Sequence, residues 1–141
     1  MKTFKTVITA AALAFSNTAF ASPVHVHIQG LKQNTGSIVL NLFASAESWD
    51  KETPDQVFQV SPLSGNSAVA DMDLPQGTYA FFLYHDVDGN GELKRGTFGL
   101  PGEPYAFSNN VRIGFSKPSF QKMKFAVTDA GAAQDIQLVQ P

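Results

Sequence analysis

The chain has 141 residues, no cysteine and a formal net charge of -2, and 43% of its residues are hydrophobic. This composition is typical of an ordinary globular protein and excludes a disordered, collagenous or disulfide-stapled chain. The longest basic run is Lys94-Arg95. The broad positive surface of a nucleic-acid binder is therefore absent, and no nucleic-acid partner is expected.

The first 21 residues have the pattern of a secretory signal peptide. Lys2 and Lys5 precede an apolar, alanine-rich stretch over residues 7–15, and Ala19-Phe20-Ala21 matches the small-residue cleavage site. The apolar stretch has about half of the roughly 20 residues that a helix needs to span a bilayer, so no membrane anchor is expected. Cleavage after Ala21 leaves residues 22–141 as one domain, which we expect to be periplasmic or secreted.

Alternation of apolar and polar residues dominates the mature chain and predicts strands. Val24–Gln29 is the first strand, and Ser37–Phe43 is expected to be its antiparallel partner. A loop follows over residues 45–54, with one helical turn capped by Ser45. Further strands are expected at 56–61 and 67–74, the second with Ala68, Ala70, Met72 and Leu74 on one face and Asp71 and Asp73 on the other.

The segment Thr78–His85 carries large apolar residues on both faces, which is typical of a strand covered on both sides. Ten of the 16 aromatic residues lie between positions 79 and 125, so the irregular excursion over residues 86–110 is expected to fold back over this strand. A helical turn capped by Ser119 and strands at 125–127 and 136–139 complete the domain.

About six to eight short strands at this spacing predict an all-β fold. The expected architecture is a single antiparallel β-sandwich of Greek-key type, similar to transthyretin or immunoglobulin domains, with a long loop after the central strand.

The densest polar motif alternates Asp86, Asp88 and Asn90 and continues with Gly91 and Glu92. The spacing matches the first half of a calcium loop, D-x-[DN]-x-[DN]-G, because alternate oxygen-bearing side chains of a tight loop converge on one point. The backbone carbonyl of Glu92, at the seventh position, completes that half. Calcium is therefore the expected cofactor, with Asp86, Asp88, Asn90 and Glu92 as metal ligands.

The second half of the calcium pattern is missing from the sequence. Lys94 occupies the ninth position and Thr97 the twelfth, where a bidentate Glu is expected. Either a more distant carboxylate such as Glu103 completes the site, or calcium binds weakly. The alternative is that the Asp-Gly and Asn-Gly pairs simply build turns, as they do in many hairpins without a metal.

Three weaker signals have a structural interpretation beside the functional one. His25 and His27 are expected on the same side of the first strand. Either they bind one zinc or copper ion together, or both side chains face solvent without a metal. A Ser-His-Asp site built on Ser108 has no supporting sequence frame. Trp49 lies in a polar loop, as a sugar-stacking platform or, in our preferred interpretation, as a loop anchor.

Five segments occur in an order that indicates a family. They are Leu74–Ala80, His85–Leu93, Phe98–Pro101, Phe107–Asn110 and Pro118–Phe120. On these segments the chain resembles the bacterial domain of unknown function 2141 family over nearly all of residues 24–140. The resemblance implies a small exported β-sandwich, similar to transthyretin-like and collagen-binding-B-like modules, and it implies no activity. Family members often carry an acid where this chain has Lys94.

The expected function is that of a noncatalytic binding or accessory module of the bacterial envelope, with a glycan or a protein as its partner. A metal-assisted enzyme using His85, Asp86 and Asp88 is the alternative, and it requires an open coordination position and a pocket. A purely structural envelope protein is a further alternative. The residues expected to form the binding surface are His85, Phe98, Tyr105, Phe107 and Asn109. Alternatively, the segments Phe98–Pro101 and Phe107–Asn110 form only a lid over the aromatic strand.

Overall fold

The computed structural model describes residues 20–62, 65–96 and 100–141. The predicted signal peptide lies outside these residues except for Phe20 and Ala21, and so does Phe98 of the predicted binding surface. The strands are β1 (Ala21–Gln29), β2 (Ser37–Phe43), β3 (Gln56–Val60), β4 (Ser67–Pro75), β5 (Gly77–Asp86), β6 (Tyr105–Phe107), β7 (Phe125–Val127) and β8 (Ala132–Gln137). Helices α1 (Ala46–Asp50) and α2 (Phe120–Met123) and a 3-10 turn at Ser108–Asn110 complete the elements.

The strands form two sheets, and the predicted all-β sandwich is confirmed. The smaller sheet has the order β4-β1-β8, and the larger has the order β3-β2-β5-β6, with β7 also paired to β5. All the pairs of named strands in the described residues are antiparallel except β1 with β8, which run parallel. The sandwich is thus antiparallel apart from this one pair.

The predicted pairing of Ser37–Phe43 with the first strand is wrong. β1 pairs with β4 and β8, whereas β2 pairs with β3 and β5 in the other sheet. The connection over residues 30–36 crosses between the sheets, and it is anchored by the buried Leu31, whose N–H donates to the carbonyl of Asn66. Turn-forming residues alone do not distinguish a hairpin from such a crossing.

The main core lies between the two sheets. Val24, Val26 and Ile28 of β1 are fully buried in it, and each such side chain contributes roughly 1.5–3 kcal/mol by leaving water. The predicted alternation of β4 is confirmed, because its apolar face is buried while Asp71 and Asp73 are exposed.

The central strand β5 is buried on both faces, as its sequence predicts. Tyr79, Phe81 and Leu83 belong to the main core, whereas Ala80 belongs to a second apolar cluster, against which Phe82 packs. The second face of β5 is thus covered mainly by α1 and α2 rather than by residues 86–110, which contribute to the buried part of this cluster, among the described residues, only Phe107 of the neighbouring strand β6. The other buried members of the second cluster are Phe43, Trp49, Phe107, Phe120 and Met123.

The helices and the shorter strands agree less closely with the predictions made from the sequence. Ser45 caps α1 as predicted, accepting a hydrogen bond from the Ser48 N–H at 3.1 Å, whereas Ser119 precedes α2 without a capping hydrogen bond from its side chain. The excursion after β5 contains the strand β6, where no regular element was expected, and the last strand ends at Gln137 rather than at 139. Among the described residues, no helix has the length and apolar character needed to cross a membrane.

Candidate metal centre

The acidic loop begins at the last residue of β5. Asp86 lies opposite Ser37 in the β2–β5 ladder and is only 1% exposed. The chain approaches it closely at Gly36, which has a φ of +69°, and a Cβ there would overlap the carbonyl oxygen of Asp86. Glycine is therefore required at position 36 on two counts, the left-handed backbone and the close approach.

Side-chain oxygens of the loop accept hydrogen bonds from its own backbone. The Gly91 N–H donates to Oδ2 of Asp86 at 2.8 Å, and Gly91 has a φ of +77°. The Asn90 N–H donates to Oδ1 of Asp88 at 3.3 Å, and the Glu92 N–H donates to Oδ1 of Asn90 at 3.0 Å. These bonds wind residues 86–92 into a tight turn whose first carboxylate lies inside the protein.

Three carboxylates converge at this turn. One oxygen from each of Asp86, Asp88 and Glu103 lies within 4.8 Å of the other two. Oxygens that share one calcium ion lie about 2.3–2.6 Å from it, and therefore at most about 5 Å from one another. A single ion can thus contact all three residues. The fold brings Glu103 to the loop, as the first interpretation of the incomplete calcium pattern requires.

The Oδ1 atom of Asp86 is buried and has no hydrogen-bond partner within the described residues. When a buried carboxylate oxygen contacts neither a hydrogen-bond donor nor a cation, nothing compensates the free-energy cost of removing its charge from water. The neighbours of Asp86 in the cluster are two further carboxylates, which add repulsion. A divalent cation bound to the cluster would remove both costs.

Glu103 is 5% exposed and also holds the loop through the backbone. Its Oε2 accepts from the Val87 N–H at 3.0 Å, and its Oε1 accepts from the Lys94 N–H at 2.9 Å. Each carboxylate oxygen has more than one acceptor site, so these bonds leave room for a metal contact. The same side chain therefore serves the fold and the acidic cluster.

The ionisation of Tyr84 reflects the negative charge of this region. Burial is the largest cause that raises the pKa of the Tyr84 hydroxyl, and the charges of Asp86, Glu103 and Glu92 raise it further. The hydroxyl donates to the carbonyl oxygen of Gly91 at 3.4 Å. Burial and the neighbouring carboxylates thus both disfavour a further negative charge at this position.

The other two predicted ligands, the Asn90 side chain and the Glu92 backbone carbonyl, belong to exposed residues of the same turn. Asn90 and Glu92 are exposed, and the Glu92 carboxylate is not part of the acidic cluster found among the described residues. His85 is 1% exposed, and its Nε2 lies 2.6 Å from the carbonyl oxygen of Thr35, a contact that requires a proton on Nε2. A cavity of about 410 Å³ borders His85, Asp88 and Glu103.

The predicted binding residues that the structure describes do not form an exposed aromatic surface. Phe107 is buried in the second cluster and Tyr105 is half-buried against it, because β6 pairs with β5 and both rings pack beside Phe82. The amide of Asn109 donates to the backbone carbonyl oxygens of Lys122 and Lys124 at 3.3 and 3.0 Å, so this side chain joins two loops.

Ser108 has a structural position that the sequence did not suggest. It is fully buried, and its hydroxyl lies beside β5 between the stretches paired with β7 and β6. Oγ accepts from the Phe81 N–H at 3.0 Å and donates to the carbonyl oxygen of Met123 at 2.6 Å. The hydroxyl thus accepts the hydrogen bond that a neighbouring strand would otherwise accept from β5. Because it is buried and both of its hydrogen bonds are to the backbone, it is not available as a nucleophile.

The histidines of β1 have carboxylate partners rather than each other. Nδ1 of His25 lies 2.5 Å from Oδ1 of Asp71, and Nδ1 of His27 lies 3.5 Å from Oδ1 of Asp135. Neither belongs to a group of three potential metal ligands among the described residues. Trp49 is the predicted loop anchor, since it is buried and its Nε1 donates to the carbonyl oxygen of Pro118 at 2.7 Å.

Comparisons with curated proteins and with solved structures find no significant match. Residues 26–136, which are most of the chain, match a family described as an uncharacterized protein conserved in bacteria (DUF2141). The chain therefore belongs to the DUF2141 family, as the resemblance of its ordered segments predicted.

Proposed function

We propose that this chain is an exported, noncatalytic binding module of the bacterial envelope, and that calcium bound to Asp86, Asp88 and Glu103 stabilises its acidic loop. The observation that carries the calcium site is the buried, unpartnered Oδ1 of Asp86 in contact range of two more carboxylates. Oxygen is the only donor type in this cluster, and hard cations such as calcium prefer oxygen.

The ion would connect distant parts of the chain. Asp86 ends β5 and Asp88 lies two residues after it, whereas Glu103 lies at the far end of the excursion, two residues before β6. An ion shared by the three carboxylates fixes the ends of this excursion relative to each other. A loop fixed in this way presents a constant surface to a partner, which lowers the entropy lost on binding.

The envelope location and the class of partner rest on the sequence. The signal-peptide pattern supports export, and the low basic charge is inconsistent with nucleic acid as a partner. A glycan or a protein of the envelope or the extracellular space is the proposed partner.

Thermal unfolding of the purified protein in excess calcium and in chelator tests the calcium site. A ligand that binds only the native state adds about 2.7 kcal/mol at a hundredfold excess over Kd. We expect calcium to raise the Tm of the wild type and to leave the Tm of Asp86→Asn unchanged. The matched control is Asp71→Asn, an exposed β4 acid outside the cluster, which should keep the full rise.

Two results would contradict the calcium site. One is a wild-type Tm that is the same in calcium and in chelator. The other is a calcium-dependent rise of equal size in Asp86→Asn, because that rise would come from binding elsewhere on the acidic surface. Magnesium at the same concentration is a useful comparison, since it demands a smaller octahedral site and retains most of its water.

The cavity beside His85 supports a metal-assisted enzyme as the second candidate function. The buried ring and its contact with the carbonyl of Thr35 leave His85 poorly placed for proton transfer, so this candidate stays second. Its test is hydrolysis of p-nitrophenyl phosphate and p-nitrophenyl acetate by the protein loaded with calcium, manganese or zinc. Turnover that His85→Gln abolishes would favour the enzyme, and turnover equal to that of buffer with metal alone would exclude these two substrates.

A further inference from the structure

The cavity of about 410 Å³ beside His85 borders the acidic cluster and is also lined by two lysines. Asp88 and Glu103 line it from the cluster, whereas Lys32 and Lys94 line it from the segment that crosses between the sheets and from the excursion after β5. Its volume is within the range of small-molecule sites, about 300–1,000 Å³. A ligand in this cavity can therefore contact the cluster and the lysines at the same time.

The ammonium groups of both lysines are available to a ligand. Lys32 and Lys94 are exposed, and neither side chain forms a hydrogen bond or an ion pair with any described residue. Pro141 also lines the cavity, but its terminal carboxylate forms an ion pair with neither lysine. By contrast, Lys51 and Lys117 already have carboxylate partners. The positive charge beside the acidic cluster is thus free to bind an anion.

A calcium ion at the acidic cluster would need oxygens that the cluster does not supply. Calcium binds six to eight oxygens, whereas the cluster brings together one oxygen from each of three residues. Asp86 is 1% exposed, but Asp88 is exposed and lines the cavity. The ion would therefore have protein on the side of Asp86 and the cavity on the side of Asp88. Its remaining coordination positions would face the cavity, where water or a ligand completes them.

The rest of the lining is suited to hydroxyl groups. Gln33 and Gln140 line the cavity, and the amide nitrogen of Gln33 has no hydrogen-bond partner among the described residues. The amide nitrogen of Gln140 donates to the carbonyl oxygen of Gly30 at 2.9 Å, which leaves its amide oxygen as an acceptor. A hydroxyl group can accept from the first amide and donate to the second. No Phe, Tyr or Trp among the described residues lines this cavity, so an apolar ligand has little to pack against.

We propose that this cavity binds a uronate residue of an acidic glycan. Its carboxylate lies between the calcium ion and the ammonium groups of Lys32 and Lys94, and its hydroxyl groups lie towards Gln33 and Gln140. A uronate offers calcium a carboxylate oxygen and a neighbouring ring or hydroxyl oxygen at once, and its negative charge matches the two lysines. The inference rests on the proposed function, because it names the chemical class of the partner at the calcium site.

Calorimetric titration of the purified protein with D-glucuronate and with D-glucose, in excess calcium, tests this ligand class. The two sugars differ only where glucose has a hydroxymethyl group in place of the carboxylate. We expect glucuronate to bind saturably and glucose to bind at least about tenfold more weakly. The double variant Lys32→Gln, Lys94→Gln should weaken glucuronate binding about tenfold, because the hydrogen bonds that it loses are to a charged group. Removal of calcium should weaken glucuronate binding by at least as much.

Two controls separate recognition of the uronate from folding defects and from general attraction of anions. Both lysines are exposed, so the double variant should fold and keep the calcium-dependent rise in Tm. Lys122→Gln, which changes an exposed lysine outside the cavity lining, should bind glucuronate like the wild type. The blocked peptide acetyl-Gly-Glu-Gly-amide carries a carboxylate without sugar hydroxyls and should bind more weakly than glucuronate. Absence of saturable glucuronate binding, equal affinity for glucose, unchanged affinity in the double variant, or tighter binding of the peptide would each overturn the proposal.

The Tm measurements distinguish failure of this inference from failure of the calcium site. If calcium raises the Tm of the wild type but not of Asp86→Asn, and glucuronate does not bind, the calcium site is supported and the uronate proposal is overturned. If glucuronate binds equally well with and without calcium, the role given to the ion in the cavity is wrong. If calcium leaves the wild-type Tm unchanged and glucuronate does not bind, the calcium site is contradicted and the uronate proposal falls with it.

Discussion

Glu103 accepts a hydrogen bond from the Val87 N–H at 3.0 Å, although the two residues are 16 positions apart. The bond joins the start of the excursion after β5 to its end. The other oxygen of Glu103 accepts from the Lys94 N–H, so one buried carboxylate is hydrogen-bonded to the backbone of the excursion at two places. The acidic cluster and the loop conformation therefore depend on the same residue, and substitutions at position 103 can separate the two roles.

Glu103→Ala is expected to destabilise the protein even without calcium. Removing the carboxylate leaves the partly buried Val87 and Lys94 N–H groups without their acceptor, and a hydrogen bond to a charged group contributes about 1.5–3 kcal/mol. Glu103→Gln keeps an acceptor for one of the two N–H groups but turns its NH2 towards the other, so it should retain only part of the stability in chelator and should lose most of the calcium-dependent rise in Tm. Urea unfolding in chelator measures the first effect, and thermal unfolding in calcium measures the second.

The exposed Glu92 provides the control for position 103. Its carboxylate lies outside the acidic cluster, so Glu92→Gln should change stability by no more than about 0.5 kcal/mol and retain the calcium response. A loss of the calcium response in Glu92→Gln equal to that in Glu103→Gln would show that general negative charge, rather than the cluster, attracts the ion.

Gly36→Ala should be more damaging than Gly65→Ala. Both glycines have positive φ, +69° and +85°, so alanine strains the backbone at each position. Open space surrounds a Cβ at position 65, whereas one at position 36 overlaps the Asp86 carbonyl. We expect Gly65→Ala to cost about 1–2 kcal/mol and Gly36→Ala clearly more. Urea unfolding measures both, and equal losses would contradict the close approach of residue 36 to Asp86.

Local patterns in the sequence were enough to predict most strands and the two-sided burial of β5. Period-two alternation depends only on which face of a strand meets the core, and the run Thr78–His85 has apolar residues on both faces. Strand pairing was not predictable in the same way. Whether residues 30–36 turn back or cross to the other sheet depends on long-range contacts, such as that of Leu31 with Asn66.

The candidate site was predictable to the same limited extent. The spacing of Asp86, Asp88 and Asn90 located the loop, because those residues are neighbours in sequence. Glu103 could only be suggested, since its approach depends on the path of the intervening chain. The sequence leaves Phe107 either on a binding surface or in a lid over the aromatic strand, because an aromatic residue in a loop-like segment carries no local sign of whether it packs on a sheet or faces water.

We expect the protein to lose stability at alkaline pH, because the hydroxyl of Tyr79 is buried. Burial raises the pKa of its hydroxyl, which donates to the Pro75 carbonyl oxygen at 2.8 Å. The unfolded chain releases this proton near the ordinary value of about 10, before the folded chain does. The free energy of unfolding therefore decreases as the pH rises through about 10 and on towards the raised folded pKa.

Urea unfolding of the wild type and of Tyr79→Phe at about pH 8 and about pH 11 measures this effect. The variant should be less stable at the lower pH, because it lacks the bond to Pro75, and should lose less stability on going to the higher pH. Tyr84 and the lysines ionise in both proteins and cancel in the comparison. An equal loss in the two proteins would show that Tyr79 does not contribute to the alkaline transition.

Ser108→Ala is expected to destabilise the protein by about 1–3 kcal/mol. The Phe81 N–H loses its acceptor, and the Met123 carbonyl loses its donor, in a place where the hydroxyl is fully buried. Ser119→Ala is the matched control, because Ser119 is exposed and makes no capping bond with its side chain, and it should cost no more than about 0.5 kcal/mol. Urea unfolding measures both variants. If Ser108→Ala were as stable as Ser119→Ala, the gap between β7 and β6 along β5 would not need the hydroxyl, and Ser108 would again be available for a chemical role.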